Sequence, residues 1–328
     1  MTIEIGVSTL TDLHGDPARR MARIVELGVQ ADEVGLDVFG VGEHHSPDFL
    51  VSSPVPVLSA VAARTGRIRL TSAVTVLSVH DPVRVYQDFA TLDLISGGRA
   101  EITTGRSAYP DPFPLFGVDI NRYDEAFAER LDLLLRLRDG DTAPWSGRHR
   151  APLVPAAVVP RAVQQPLPVW IGAGGSPGSV LRAGAAGLPL ILGYIGGTPD
   201  DLRRLVDLYR AAGGTRVGLA VHFLATATEE EARAAYPHYR EFLRPKRPES
   251  PGITVSPAAW ADGLRPDRHL MVGTSEQIAE KLRLLHKAVP FDRVQALVDW
   301  GDLPAEAVRA SVHRLGTEVA PALRDVAE

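Results

Sequence analysis

Apolar, β-prone runs alternate along the whole chain with longer amphipathic segments. The runs at 3–7, 38–41, 68–77, 99–104, 168–173, 190–194, 217–225 and 293–300 predict eight strands. Between them, 17–34, 54–64, 82–95, 121–138, 180–186, 199–212, a segment from 229, 274–288 and 304–326 predict helices. The punctuation agrees with this parsing. Ser53-Pro54, Asp81-Pro82 and Ser176-Pro177 each place a capping residue before a first-turn proline. Gly35, Gly97-Gly98 and Gly187-Leu188-Pro189 stand where helices should stop. Thr274 and Gln277 are spaced as a capping box.

Strands alternating with helices imply a parallel sheet, and eight of them fit an α/β (β/α)8 TIM barrel better than an open doubly wound sheet. The expectation is one barrel domain over residues 1–328. Two Pro-rich excursions, about 139–167 after the fourth strand and about 243–272 after the seventh, read as insertions. No internal repeat is visible.

Composition narrows the class. The 328 residues are 45% hydrophobic and 23% charged, which supports a large core, and the net charge is −5 with no basic run. Nucleic-acid and polybasic membrane surfaces are therefore not expected. Cysteine is absent, which removes disulfides, thiolate metal sites and a cysteine nucleophile. The N-terminus has no leader-like pattern and no apolar run reaches membrane-spanning length, so a cytoplasmic protein is expected.

In a barrel the ligand sits beyond the carboxyl ends of the strands. The residues there are Ser8-Thr9, Glu43-His44-His45, Ala73-Val74-Thr75, Gly105-Arg106-Ser107, Ala173-Gly174-Gly175-Ser176, Tyr194, His222 and Asp299-Trp300. Gly174 and Gly175 before the helix opened by Ser176-Pro177 form a candidate phosphate cradle, with free N–H groups and a favourable dipole. Arg106, on the neighbouring strand, would add a guanidinium; the alternative is an ordinary ion pair. Glu43, His44 and His45 could be structural, acid/base or metal groups. Ala73 and Val74 are small enough to let a flat ring lie against the rim. Tyr109, Phe113, Phe116, Tyr194 and Trp300 could line an apolar substrate space. Neither a Walker A loop nor a dinucleotide fingerprint is present.

Taken together, Val41-Gly42-Glu43-His44-His45, Thr71 to Leu77, Asp81-Pro82-Val83-Arg84, Thr91 to Arg99 with Gly105-Arg106, Pro114 to Gly117, Pro168 to Gly172 with Gly187-Leu188-Pro189, and Val272-Gly273-Thr274 resemble the bacterial-luciferase-like flavin-dependent oxidoreductases. The resemblance runs over almost the whole chain. It implies a barrel that binds FMN, with phosphate at Arg106, Ala173, Gly174, Gly175, Ser176 and Ser179. It implies a non-proline cis peptide at Ala73-Val74 behind the isoalloxazine, and His44 as the acid/base residue. His45, Ser107, Tyr109, Tyr194 and Trp300 are the expected substrate-pocket residues, and no metal is expected. Where luciferase proper has a cysteine before the phosphate arginine, Gly105 stands here. Gly174 replaces an acidic residue, and the loop is one residue longer. The implied activity is a two-component monooxygenase. It would take reduced FMN from a separate NAD(P)H:flavin reductase and use O2 to oxygenate a small or medium organic substrate, as a homodimer. The alternatives are F420-dependent hydride transfer, a non-catalytic flavin-binding protein, and a metal-dependent hydrolase built on Glu43, His44, His45 and Asp299.

Overall fold

The computed structural model describes residues 2–140, 142, 144–247 and 252–324. Eight parallel strands close on themselves: β1 (Glu4–Thr9), β2 (Val38–Val41), β3 (Arg69–Ser72), β4 (Ala100–Gly105), β5 (Val169–Ala173), β6 (Leu190–Gly193), β7 (Val217–Ala225) and β8 (Arg293–Leu297). Each pairs with the next, and β8 pairs with both β7 and β1, for example Leu297 opposite His222 and Ser8. The barrel is therefore closed, as the strand count predicts. The main outer helices are α1 (Pro17–Glu33), α2 (Pro54–Ala62), α3 (Pro82–Ser96), α4 (Tyr123–Asp139), α5 (Pro177–Ala185), α6 (Pro199–Ala211), α7 (Ser275–Ala288) and α8 (Ala305–Arg314).

Alternation along the strands sorts the side chains into two cores. Ile5, Val7, Phe39, Val41, Leu70, Ile102, Ile171, Leu192, Leu219 and Val294 pack outward beneath the helices. The inward set is polar at its lower end. Arg293, with a fully buried side chain, bridges Glu101 (2.7 Å) and Glu4 (2.8 Å), and lies 4.1 Å from the centre of the Trp170 ring. Burial opposes ionisation of Glu101, but Arg293 and Arg69 hold its carboxyl below the ordinary value.

Three expectations need correction. The strand predicted over 68–77 is broken: β3 stops at Ser72, the Ala73–Val74 peptide is cis, and Thr75–Val76 then pairs with the end of β4. Side-chain hydroxyls replace the missing ladder, with Ser72 Oγ donating to Thr103 O and Thr75 Oγ1 donating to Ser72 Oγ. The strand predicted over 293–300 ends at Leu297, because Asp299 and Trp300 are drawn into side-chain contacts. The helix predicted over 304–326 is α8, a π-helical turn at Leu315–Val319 and a last helix at Ala320–Arg324; residues 325 and 326 lie outside the described residues.

After β7, helices Glu229–Ala234, Tyr236–Leu243 and Pro257–Gly263 build a second, aromatic core with Tyr239, Trp260 and Trp300. Of the second predicted insertion, residues 248–251 lie outside the described residues, as do 141 and 143 of the first. No described helix is long and apolar enough to cross a membrane.

Candidate active site

The carboxyl ends of the strands carry the polar side chains expected there, and the cis Ala73–Val74 segment lies at their centre. Two glycines make room for it. A Cβ on Gly105 would stand 2.4 Å from Val74 Cγ2, and one on Gly172 would stand 2.6 Å from Val74 Cγ1. Val74 is thus clamped from the β4 and β5 sides by positions that tolerate no side chain. The sequence marked Gly105 as a departure and Gly172 as part of a motif; neither was tied to Val74.

The loop after β2 divides its two histidines, as alternation requires. His44 stacks on Phe49 (3.9 Å between centroids, 13° between planes) and meets Tyr109 edge-on at 5.5 Å. Burial pushes its imidazole down to about 4, against the pull of Glu43 and with some help from His45. The ring is uncharged at neutral pH, and Nδ1 is enclosed without a partner. His45 turns the other way: its Nε2 and that of His80 lie 2.8 and 2.6 Å from Glu43 Oε1, while Glu43 Oε2 accepts the Val76 N–H. Phe116 packs edge-on against both rings. Burial resists the Glu43 charge, yet the two histidines hold its carboxyl below the usual range. Glu43, His45 and His80 thus form a compact cluster with ligand atoms within 4.8 Å of one another. His80 was missed in the sequence, though its place just before the Asp81-Pro82 helix opening puts it at a strand end.

The four residues of the hydrolase alternative do not converge. His44 faces aromatic rings, and Asp299 is committed to Thr9 Oγ1 and Arg20, both at 2.7 Å. The expected cradle residues lie together at the opening of α5. Ser176 stands at the N-cap position of α5 without a side-chain capping bond, Gly175 has φ +102°, Gly174 is exposed with open space around it, and Ser179 is buried in the first turn. Arg106 approaches from β4, but its Nη1 lies 2.5 Å from Asp124, which Arg182 on α5 also approaches at 3.6 Å. Arg182 Nη1 is enclosed without a partner. Two guanidiniums therefore share one carboxylate, that of Asp124 in the first turn of α4, with Arg182 reaching it from the last turn of α5. The Ala173 side chain is buried in the outer core, so only its backbone can serve the loop.

A cavity of about 460 Å³ opens at the barrel mouth, bordered by Asp12, Phe49, Tyr109, Ile195, Phe242 and Ile253, among others. Ser107, at φ +92°, donates from Oγ to Tyr109 O and receives the Tyr109 N–H, which fixes how Tyr109 is presented. Of the expected pocket residues Tyr109 alone borders this cavity: Ser107 acts through Tyr109, His45 turns into the Glu43–His80 cluster, and the other two are elsewhere. Tyr194 borders a separate space of about 270 Å³ with Arg268 and Lys281. Trp300 lies in the aromatic core, its indole N–H donated to Phe223 O. A larger cavity, about 690 Å³, lies outside the barrel between α1 and α8 and is bordered by Asp299 alone of the expected residues.

Comparison with known proteins agrees with this geometry. Residues 3–290 match the family of luciferase-like monooxygenases. The 4-hydroxyprotoasukamycin monooxygenase of Streptomyces nodosus subsp. asukaensis is 29% identical, over 96% of this chain and 90% of its own. An F420-dependent glucose-6-phosphate dehydrogenase of Amycolatopsis mediterranei is 34% identical over 50% of this chain and 51% of its own. Among solved structures, the oxygenating constituent of 3,6-diketocamphane monooxygenase from Pseudomonas putida, in complex with FMN, superposes with a TM-score of 0.77 at 19% identity, over 98% of this chain and 99% of its own. The chain belongs to the luciferase-like monooxygenase family, and its relatives are flavin-dependent monooxygenases and oxidoreductases, with F420-dependent enzymes among them.

Proposed function

We propose that the protein is the oxygenase of a two-component FMN-dependent monooxygenase, fed reduced flavin by a separate NAD(P)H:flavin reductase. The observation that carries this reading is the clamped Val74, a floor held between Gly105 and Gly172 on the two strands that lead into the Arg106 guanidinium and the N-terminus of α5. A planar ring with a phosphate tail fits that pairing of floor and charge. Arg106, Gly175, Ser176 and Ser179, with the backbone of Ala173 and Gly174, would hold the phosphate; Ala73 and Val74 would back the ring. Reduced FMN, when bound, supplies the oxygen chemistry with O2 as co-substrate. The chain's own contribution is placement and water exclusion. His44, neutral and with an unpartnered Nδ1, is suited to take up or return a proton at that atom. The substrate is a small organic molecule admitted through the cavity beside Phe49 and Tyr109. The diketocamphane oxygenating constituent supports the two-component arrangement by its description. Dimerisation through the outer helices belongs to the same proposal.

The F420-dependent relative favours a second reading, hydride transfer without O2. Fluorescence titrations with FMN and F420 separate the two. Tight FMN binding with O2 uptake by the reduced complex is the expected result. Binding of F420 alone would favour hydride transfer, binding of FMN without O2 uptake would favour a non-catalytic flavin carrier, and binding of neither would overturn both enzymatic readings.

A further inference from the structure

The loop after β1 carries a carboxylate that the chain does not satisfy. Asp12 is 4% exposed; its Oδ2 accepts the Gly301 N–H at 3.1 Å and faces His14 Nε2 at 3.8 Å, while its Oδ1 is enclosed without any partner. Thr11, beside it at φ +65°, also has a buried hydroxyl without a partner. Among the described residues His14 is the sole ion-pair neighbour of Asp12, because Arg20 is spent on Asp299. A buried acceptor left in this state is costly unless something else supplies a donor.

Its position says what that donor belongs to. The loop is zipped to the segment carrying Phe49: Leu13 N–H donates to Asp48 O (2.9 Å), Leu50 N–H donates to Thr11 O (2.8 Å), and Asp12 pairs with Phe49 as an isolated bridge. Phe49 in turn stacks on His44. Asp12, Phe49 and Tyr109 border the same cavity, whose apolar lining comes from residues such as Ile195, Phe242 and Ile253 and whose charged lining comes from Asp48, Glu241, Arg244 and Lys246. We propose that Asp12 recognises the molecule to be oxygenated, accepting a hydrogen bond from a hydroxyl or amino group on a flat, otherwise apolar substrate held against Phe49. This rests on the oxygenase reading for what happens to the substrate, but not for its binding. Burial, partly offset by His14 and the Gly301 N–H and reinforced by Asp299, also keeps the Asp12 carboxyl above its ordinary value.

The test is direct binding to the full-length protein, by calorimetry, of three probes of similar shape: 4-ethylphenol, its methyl ether 4-ethylanisole, and ethylbenzene. Wild type should bind the phenol at least about tenfold more tightly than either capped probe, since a site built around an acceptor rejects analogues without the donor. Asp12→Leu should bring the three within about twofold, whereas Asp12→Asn, which keeps a carbonyl acceptor, should retain most of the preference. Equal binding of the three probes by wild type, no measurable binding of the phenol, or an undiminished preference in Asp12→Leu would overturn the proposal. Should Asp12→Leu fail to fold, Asp12→Ala, which also removes the acceptor but adds no bulk, decides in its place: an undiminished preference there overturns the proposal. FMN titration is a separate readout: donor-selective binding without flavin binding would sink the oxygenase reading and leave Asp12 standing, and the reverse would sink Asp12 alone.

Discussion

Gly105→Ala tests the clamp on which the flavin reading depends. The added methyl would sit 2.4 Å from Val74 Cγ2, against ~3.5 Å for an ordinary carbon contact, so Val74 must retreat by about 1.1 Å. Rotation offers no escape. Valine is stiff at χ1, and its other methyl already faces Gly172, where a Cβ would stand at 2.6 Å. The backbone at 73–74 has to move instead, at an overpacking cost of about 1–3 kcal/mol. If Ala73 and Val74 back the ring as proposed, a displacement of this size should also weaken FMN about tenfold or more. Val74→Ala removes both methyls and leaves only a 3.2 Å approach to Val74 Cβ. In a double-mutant cycle the two changes should therefore compensate, with a coupling of about 1–2 kcal/mol. Urea unfolding gives the stability cycle and flavin fluorescence the affinity. Additive effects, or an unaltered FMN affinity in Gly105→Ala, would refute the clamp.

The charge arrangement gives further expectations. Arg106→Ala should weaken FMN far more than riboflavin, which lacks the phosphate; equal losses in a parallel titration would count against the anion cradle. Asp124→Asn should tighten FMN by roughly two- to fivefold by freeing Arg106, as befits a partly exposed pair, and weaker binding would show that Asp124 helps rather than competes. Arg293→Met leaves Glu101 inside the barrel with Arg69 as its remaining cation and should cost about 1–3 kcal/mol in urea unfolding; a loss under ~1 kcal/mol would mean that Arg69 alone satisfies Glu101. His222 is buried against Tyr239, and burial drives its imidazole down to about 3. Because the unfolded chain binds this proton first, stability should fall as pH drops below the ordinary histidine value of ~6.5, by about 2 kcal/mol at about pH 5. His222→Phe should lose that part of the acid sensitivity, measured by unfolding at the two pH values.

The sequence by itself determined the architecture. Eight apolar runs, most of them followed by a helix with a proline- or glycine-marked boundary, leave little freedom, because local periodicity and capping are short-range properties. It also determined which residues reach the carboxyl-terminal rim, including Glu43, His44, Arg106 and the 174–176 loop, since position along a strand follows from the chain alone. What occupies the space between those strand ends was decided only in three dimensions. Glu43 lies beside His45 in the sequence, but it was the return of the chain after β3 that added His80 to the pair. Trp300 and Tyr194 stand at strand ends by number, yet the fold turns one into the aromatic core and the other toward Lys281. Asp12 had no local signature at all. Its enclosed, unsatisfied oxygen depends on the 11–13 and 48–50 segments pairing side by side beyond β1 and β2, and burial is a property of what packs around a residue rather than of the residue itself.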